Sequence, residues 1–335
     1  MGVHRLGRFG VPIGSALALL LSATPAAAQS TIRPSQVHPA LTLVMPFDAT
    51  DNRTTFFIVS RIGAGLPSGA GLRTHWVFWS ADCRHLADLS ITLTEKDTVV
   101  VDANRVQSQT QFPGTPENVP LGPAVDLKGD RGVVIVTALV PPNVSPTQLV
   151  GAWTIADKTA GVAFGADAVG FADGRLPDAT ALQEEGMVIP TFNPMSLDVS
   201  EVIVIGLEES GGSLSPIRRP SPGLNGNHVC CNTAISDTLE NVVSVPDVCF
   251  KCALFAPIAP TTVPTGGGHP IAPLVSAVGA GALHISSCRT AGDDGRPAPL
   301  ATDEPQFLVA FHGQAVGPFG FAASGKYAAA PAQQQ

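Results

Sequence analysis

A chain of 335 residues with 27 acidic against 19 basic side chains lacks the dense positive charge that displaces counterions from nucleic acid. Its 44% hydrophobic content suffices for sizeable cores, while 34 glycines and 30 prolines are spread along the chain instead of forming one low-complexity tract. No long apolar run at three- and four-residue spacing occurs, so a helical bundle is excluded. Short apolar or alternating runs between Pro, Gly, Asn and Asp turns point to an all-β sandwich or barrel.

Residues 1–28 have the order of a secretory signal peptide: Arg5 and Arg8, an apolar middle from Val11 to Leu21, then Ala26-Ala27-Ala28 before Gln29. The apolar middle is too short for a permanent span, and no later run reaches spanning length. Removing the segment takes away two arginines and no acid, leaving 17 basic against 27 acidic residues and a charge of −10. The expectation is an exported protein, secreted, periplasmic or at the cell surface, with no membrane span after signal removal and no nucleic-acid partner. Scarce lysine with abundant Ala and Gly hints at a GC-rich bacterial genome, in which the sequons at Asn52 and Asn143 carry little meaning.

Strands are predicted in chain order at Leu41–Met45, Thr55–Ile62, His75–Trp79, Leu89–Leu93, Thr98–Asp102, Val133–Val140, Leu149–Ile155 and Gly161–Gly165. Val133–Val140 is apolar throughout and is expected to be buried on both faces. After a Pro-punctuated stretch the pattern returns at Val202–Leu207, Val229–Ala234, Asn241–Val245, Val248–Phe255, Gly281–Ser287, Phe307–His312 and Phe319–Ala323. A faint repeat links the two sets: Gln148–Trp153 then Gly161–Ala166 closes the first, and Gln306–Phe311 then Gly317–Ala322 closes the second. The expected organisation is a first sandwich domain over 38–175, a second over 196–327, and a frayed end over 328–335.

Thr55–Ser60, His75–Cys83 and Leu89–Val101, the last including Leu93-Thr94-Glu95-Lys96-Asp97, resemble exported bacterial proteins with immunoglobulin-like sandwiches. The resemblance covers less than half the chain and implies two tandem immunoglobulin-like antiparallel β-sandwich domains with long Pro/Gly-rich loops. It brings no activity with it.

Export permits disulfides among Cys83, Cys230, Cys231, Cys249, Cys252 and Cys288. If residues 229–234 and 248–255 form an antiparallel hairpin, pairing Cys230 with Cys252 and Cys231 with Cys249 keeps the register most nearly constant. That leaves Cys83 and Cys288 as a bridge between the two units or as two free thiols. A rival reading is zinc, with Cys249 and Cys252 at ligand spacing and Cys230, Cys231 or His228 completing the set. Adjacent cysteines diverge in an extended strand and export disfavours thiolate zinc, so no metal is assigned. A redox Cys-x-x-Cys wants a βαβ setting that is not visible here.

Catalytic motifs are thin. Gly65-Leu66-Pro67-Ser68-Gly69 misses the nucleophile-elbow spacing, and Gly266-Gly267-Gly268 reads as a flexible loop. His75, His85 and Asp82 lie near one strand end and are candidates for acid–base or ligand chemistry. Asp48, Asp51 and Asn52, or Asp293 and Asp294, offer oxygen ligands but fit turn chemistry better. Arg218-Arg219, Glu184-Glu185 and Glu208-Glu209 read as solvated loop charge. Trp76 and Trp79, three apart, face opposite sides of a strand, so Trp79 is a candidate for stacking on a sugar ring while Trp153 sits in an apolar run. No cofactor is implied. The leading expectation is a non-enzymatic exported protein with a structural or interaction role toward an unnamed surface or extracellular partner. The alternatives are a carbohydrate- or divalent-ion-binding module and a secreted hydrolase.

Overall fold

A computed structural model describes residues 39–62, 71–95, 97–104, 127–140, 148–176, 187–191, 199–210, 212–218, 225–237, 242–257, 281–290, 306–315 and 322–328. The expected signal segment 1–28, Gly65–Gly69, Asn143, Glu184-Glu185, Arg219, Gly266–Gly268, Asp293-Asp294 and the end 329–335 lie outside the described residues.

All regular structure among the described residues is β-strand. The first half supplies β1 (Thr42–Asp48), β2 (Arg53–Arg61), β3 (Leu72–Ser80), β4 (His85–Leu93), β5 (Thr98–Asp102), β6 (Arg131–Leu139), β7 (Leu149–Asp157), β8 (Val162–Asp167) and β9 (Val169–Phe171). The second supplies β10 (Met187–Thr191), β11 (Val199–Ser210), β12 (Ser213–Pro216), β13 (Val229–Asp237), β14 (Val242–Phe250), β15 (Ala253–Pro257), β16 (Gly281–Thr290), β17 (Gln306–Ala315) and β18 (Ala322–Ala328). Period-two patterning accounts for β3, β4 and β5. In β3, Leu72, Thr74, Trp76 and Phe78 are buried while Arg73, His75, Val77 and Trp79 face outward. Val133–Val136 of β6, between β3 and β1, are buried throughout, as an unbroken apolar run requires.

Among the described residues all strand pairings in the sheets are antiparallel and stay within one half. The order β4-β3-β6-β1 of the first half returns as β14-β13-β16-β10 in the second. Likewise β5-β2-β7-β8 returns as β15-β11-β17-β18. β9 and β12 are additions at the edges. Of the two similar sequence stretches, Gln148–Trp153 and Gln306–Phe311 therefore lie at equivalent places, at the starts of β7 and β17, while Gly161–Ala166 runs into β8 and residues 317–321 of its counterpart lie outside the described residues.

Several strand boundaries differ from expectation. Asn241–Val245 and Val248–Phe255 do not divide where expected: β14 runs unbroken through Pro246 to Phe250, and β15 begins after a bend at Lys251-Cys252. β14 and β10, which carries Pro190, are both edge strands, where a missing N–H need not face a partner. β18 extends to Ala328, so Ala328, expected at the start of a frayed end, pairs with Val309. Backbone pairing to the edge of β17 holds this Ala/Gly/Ser segment, which has no apolar alternation of its own.

Residues 32–335 gather in one unit. Both faces of β11 and β17 are buried. Val202, Val204, Leu308 and Ala310 join Leu283, Ile285, Val248 and Phe250 in the second half's own core. Ile203, Ile205, Leu207, Phe307, Val309 and Phe311 join the first half's core with Val44, Phe57, Trp76 and Trp153. Aromatic edges meet across the seam: Trp153 lies 5.4 Å from Phe311 and Phe171 5.9 Å from Phe307, ring centre to ring centre.

Charge crosses the same seam. The Arg53 guanidinium on β2 reaches Glu201 of β11 at 2.7 Å, Asp48 of β1 at 2.9 Å and Asp157 of β7 at 3.0 Å. Burial opposes the Arg53 charge, but Glu201 and Asp48 more than offset it and hold its pKa above the ordinary value. Burial pushes the Glu201 carboxyl up, with Arg53 opposing. Asp48, weighed as an oxygen ligand, is instead buried: its carboxylate accepts from Arg53 and from Thr50 N, and its backbone N–H and carbonyl exchange hydrogen bonds with Thr55 Oγ1.

The second half's interior contains a small apolar cavity of about 10 Å³ bordered by Val202, Val204, Phe250 and Leu283. His312 of β17 is also buried, 3% exposed, and its Nε2 has no partner among the described residues. Burial lowers its pKa from 6.5 to about 4 despite a hydrogen bond with Gln314. A histidine depressed in the fold stabilises above its unfolded pKa and loses that contribution as pH falls. Unfolding free energy therefore drops by roughly 3 kcal/mol between pH 6.5 and about 4 through this group. Urea unfolding across that window should show the loss in the parent and a flatter profile in His312→Leu; parallel profiles would refute it.

Candidate functional site

The chemistry-bearing residues gather around the β3–β4 turn, where the first half meets the second. Alternation along β3 places His75 and Trp79 on its outer face. A register shift after Phe78 sets His85 opposite Trp79. Asp88 of β4, opposite Val77, lies between the two histidines. His75 Nε2 is 3.2 Å from Asp88 Oδ1, and His85 Nε2 is 3.0 Å from Asp88 Oδ2. One carboxylate thus holds two imidazoles at a half-exposed surface, where water screens each contact.

Trp79 is partly buried, with the His85 ring edge-on at 5.1 Å and the Arg218 guanidinium over it at 5.2 Å. A stacking face is therefore already occupied by a cation from the second half. Arg218 itself is anchored by Glu208, whose Oε1 lies 3.7 Å from Arg218 Nε. Asp82 does not join His75 and His85. It accepts a hydrogen bond from Ser80 and lies 3.6 Å from Arg84. The Ser80 hydrogen bond, outweighing burial and helped by Arg84, holds the Asp82 carboxyl below its ordinary range.

The turn is clamped to the second half. Cys252 N and Ala253 N both donate to Ala81 O, at 3.1 and 3.3 Å. Gly132 of the adjoining β6 leaves no room for a Cβ, which would run into the Trp79 carbonyl. Cys83 takes a φ of 71°, a left-handed conformation uncommon for a residue with a side chain, and is bonded to Cys252.

All six cysteines are bridged, but not in the expected pairs. The bonds are Cys83–Cys252, Cys230–Cys249 and Cys231–Cys288. Cys230–Cys252, Cys231–Cys249 and Cys83–Cys288 do not form. The reason is the end of β14 at Phe250, which puts Cys252 in a bend and not on the strand. Within the hairpin Cys230 faces Cys249 directly, while Cys231 faces Val248. A bulge beside Cys231 leaves it free to bridge across the other edge of β13 to β16.

Beside the Cys83–Cys252 bridge stands His228, buried and just ahead of β13. Its Nδ1 is 2.7 Å from the Ile217 carbonyl oxygen and 3.3 Å from Cys83 Sγ. Burial lowers the His228 pKa from its ordinary value, with the Ile217 hydrogen bond opposing and the charge of Lys251 adding to the shift. Sequence reasoning missed Asp88, Arg218 and this use of His228. Asp88 was recoverable from the hairpin register alone, whereas Arg218 and His228 depend on contacts between halves.

No family model matches the chain, and no curated protein matches its sequence.

Proposed function

We propose that this is an exported, non-enzymatic protein with a structural or interaction role at the cell surface or outside the cell. In this reading each half is a sandwich of the immunoglobulin-like kind, with a strand order of its own. The observation that carries it is the set of three disulfides that uses every cysteine, one of them tying the halves together. Such bridging suits an oxidising compartment and a body that must persist without chaperones. The signal segment 1–28 supplies the route there. Expression of the whole chain in a bacterial host tests it. The exported fraction should begin at Gln29, and non-reducing peptide maps should link Cys83 to Cys252, Cys230 to Cys249 and Cys231 to Cys288. Cytosolic retention with six free thiols would overturn it.

The two imidazoles on Asp88 favour a second reading, a module for a divalent ion on the outer face of β3 and β4. Isothermal titration of the oxidised protein with zinc decides it: binding lost in a His75→Ala/His85→Ala variant supports it, and no binding rejects it.

A further inference from the structure

We propose that reduction of the Cys83–Cys252 bridge creates a site for a thiophilic divalent cation of the zinc type, held by Cys83 Sγ, Cys252 Sγ and His228 Nδ1 with the Ile217 carbonyl oxygen as fourth donor. The three side-chain donors lie within 4.8 Å of one another, the one His/Cys/Asp/Glu group of that closeness among the described residues. Cys83 Sγ is 3.3 Å from His228 Nδ1 and 3.5 Å from Ile217 O, and Cys252 Sγ is 3.6 Å from the same oxygen. A tetrahedral zinc with metal–sulfur bonds of about 2.3 Å and metal–nitrogen or –oxygen bonds of about 2.0 Å has sulfur–nitrogen and sulfur–oxygen edges of about 3.5 Å. Three of the four such edges already stand in place, and the fourth, from Cys252 Sγ to His228 Nδ1, is within 4.8 Å. What must open is the bonded sulfur pair, to about 3.8 Å, and the nitrogen–oxygen contact, to about 3.3 Å.

The donors come from four segments that backbone hydrogen bonds hold independently of the disulfide. Ala81 O takes Cys252 N, Gly206 O takes Ile217 N at 3.0 Å, and Phe250 O takes His228 N at 2.9 Å. Ligands held this way need little rearrangement to close on an ion. The ring proton of His228 passes from Nδ1 to Nε2 as the Ile217 hydrogen bond gives way to the metal.

The reductant is a dithiol. Two electrons and two protons pass to the bridge, the Cys83–Cys252 sulfur–sulfur bond breaks, both residues become thiols, and the dithiol closes into its own disulfide. The cation then displaces both thiol protons to solvent and forms two metal–thiolate bonds. The halves stay linked in either state, covalently when oxidised and through the metal when reduced.

Cobalt(II) is the probe, added to the whole chain under a phosphine reductant. One equivalent should bind with thiolate-to-cobalt charge-transfer absorption and be displaced by zinc, while the oxidised protein shows no such band. Cys83→Ser/Cys252→Ser should abolish the band, His228→Ala should weaken binding about tenfold or more, and Cys230→Ser/Cys249→Ser should leave it. No band in the reduced parent, or an undiminished band in Cys83→Ser/Cys252→Ser, overturns the proposal. If reduction unfolds the chain, refolding under reductant is compared with and without zinc. Zinc-dependent refolding in the parent but not in His228→Ala supports the site; zinc-independent failure in both refutes it.

Discussion

An Arg53→Leu variant unfolds with a free energy about 3–5 kcal/mol below the parent, because the substitution strands buried carboxylates without their cation. Asp48 and Glu201 are almost wholly buried and both contact the same guanidinium nitrogen. In the parent the cost of burying those charges is offset by two short ion pairs and by Asp157 on Nε. Without Arg53, Glu201 must take a proton to remain buried, and its already raised pKa climbs further. A carboxyl raised in the fold binds its proton more tightly folded than unfolded. Its contribution is therefore complete below the unfolded pKa and lost as pH rises. The deficit should accordingly be smaller near about pH 5 than near about pH 8, which urea unfolding at both values measures. A deficit independent of pH would mean that Glu201 is hydrated in the variant. Arg53→Lys should recover only part of the loss, since one ammonium cannot reproduce the fork that reaches three strands.

Trp153→Ala should cost about 3–5 kcal/mol, the range for removing a fully buried aromatic side chain. Trp153 is 1% exposed and packs edge-on against Phe164 of its own half and Phe311 of the other. The cavity left behind therefore opens on both halves. Amide hydrogen exchange should accelerate in β17 as well as in β7, and acceleration confined to β7 would show that the halves are energetically separate. Trp153→Phe should be much milder, because the indole N–H has no hydrogen-bond partner among the described residues and nothing polar is lost.

Strand positions were legible because they depend on local pattern. Leu72-Thr74-Trp76-Phe78 alternates with Arg73-His75-Val77-Trp79, and that alternation alone separates the buried Trp76 from the outward Trp79. The repeat was legible at β7 and β17, where two apolar runs share a Gln start. β9, β10 and β12 were not, being short edge strands whose pairing comes from a neighbour and not from their own periodicity. The surface site was half legible. His75, His85 and Trp79 belong to one hairpin face, but local spacing suggested Asp82 as their acid, and only the register with its shift at Phe78 puts Asp88 between them.

By itself the sequence determined the all-β class, the even spacing of strands in two sets and the exclusion of a helical bundle, because these follow from side-chain alternation and turn chemistry within a few residues. Disulfide partners, the Arg53 cluster and the gathering of Cys83, Cys252, His228 and Ile217 were decided only by tertiary structure. Most of these join residues far apart in the chain, such as the 169 positions between Cys83 and Cys252, although Cys230 and Cys249 are 19 apart in one hairpin. No local pattern encodes such a distance; it is set when β14 ends just before Cys252 and both faces of β11 and β17 find apolar partners.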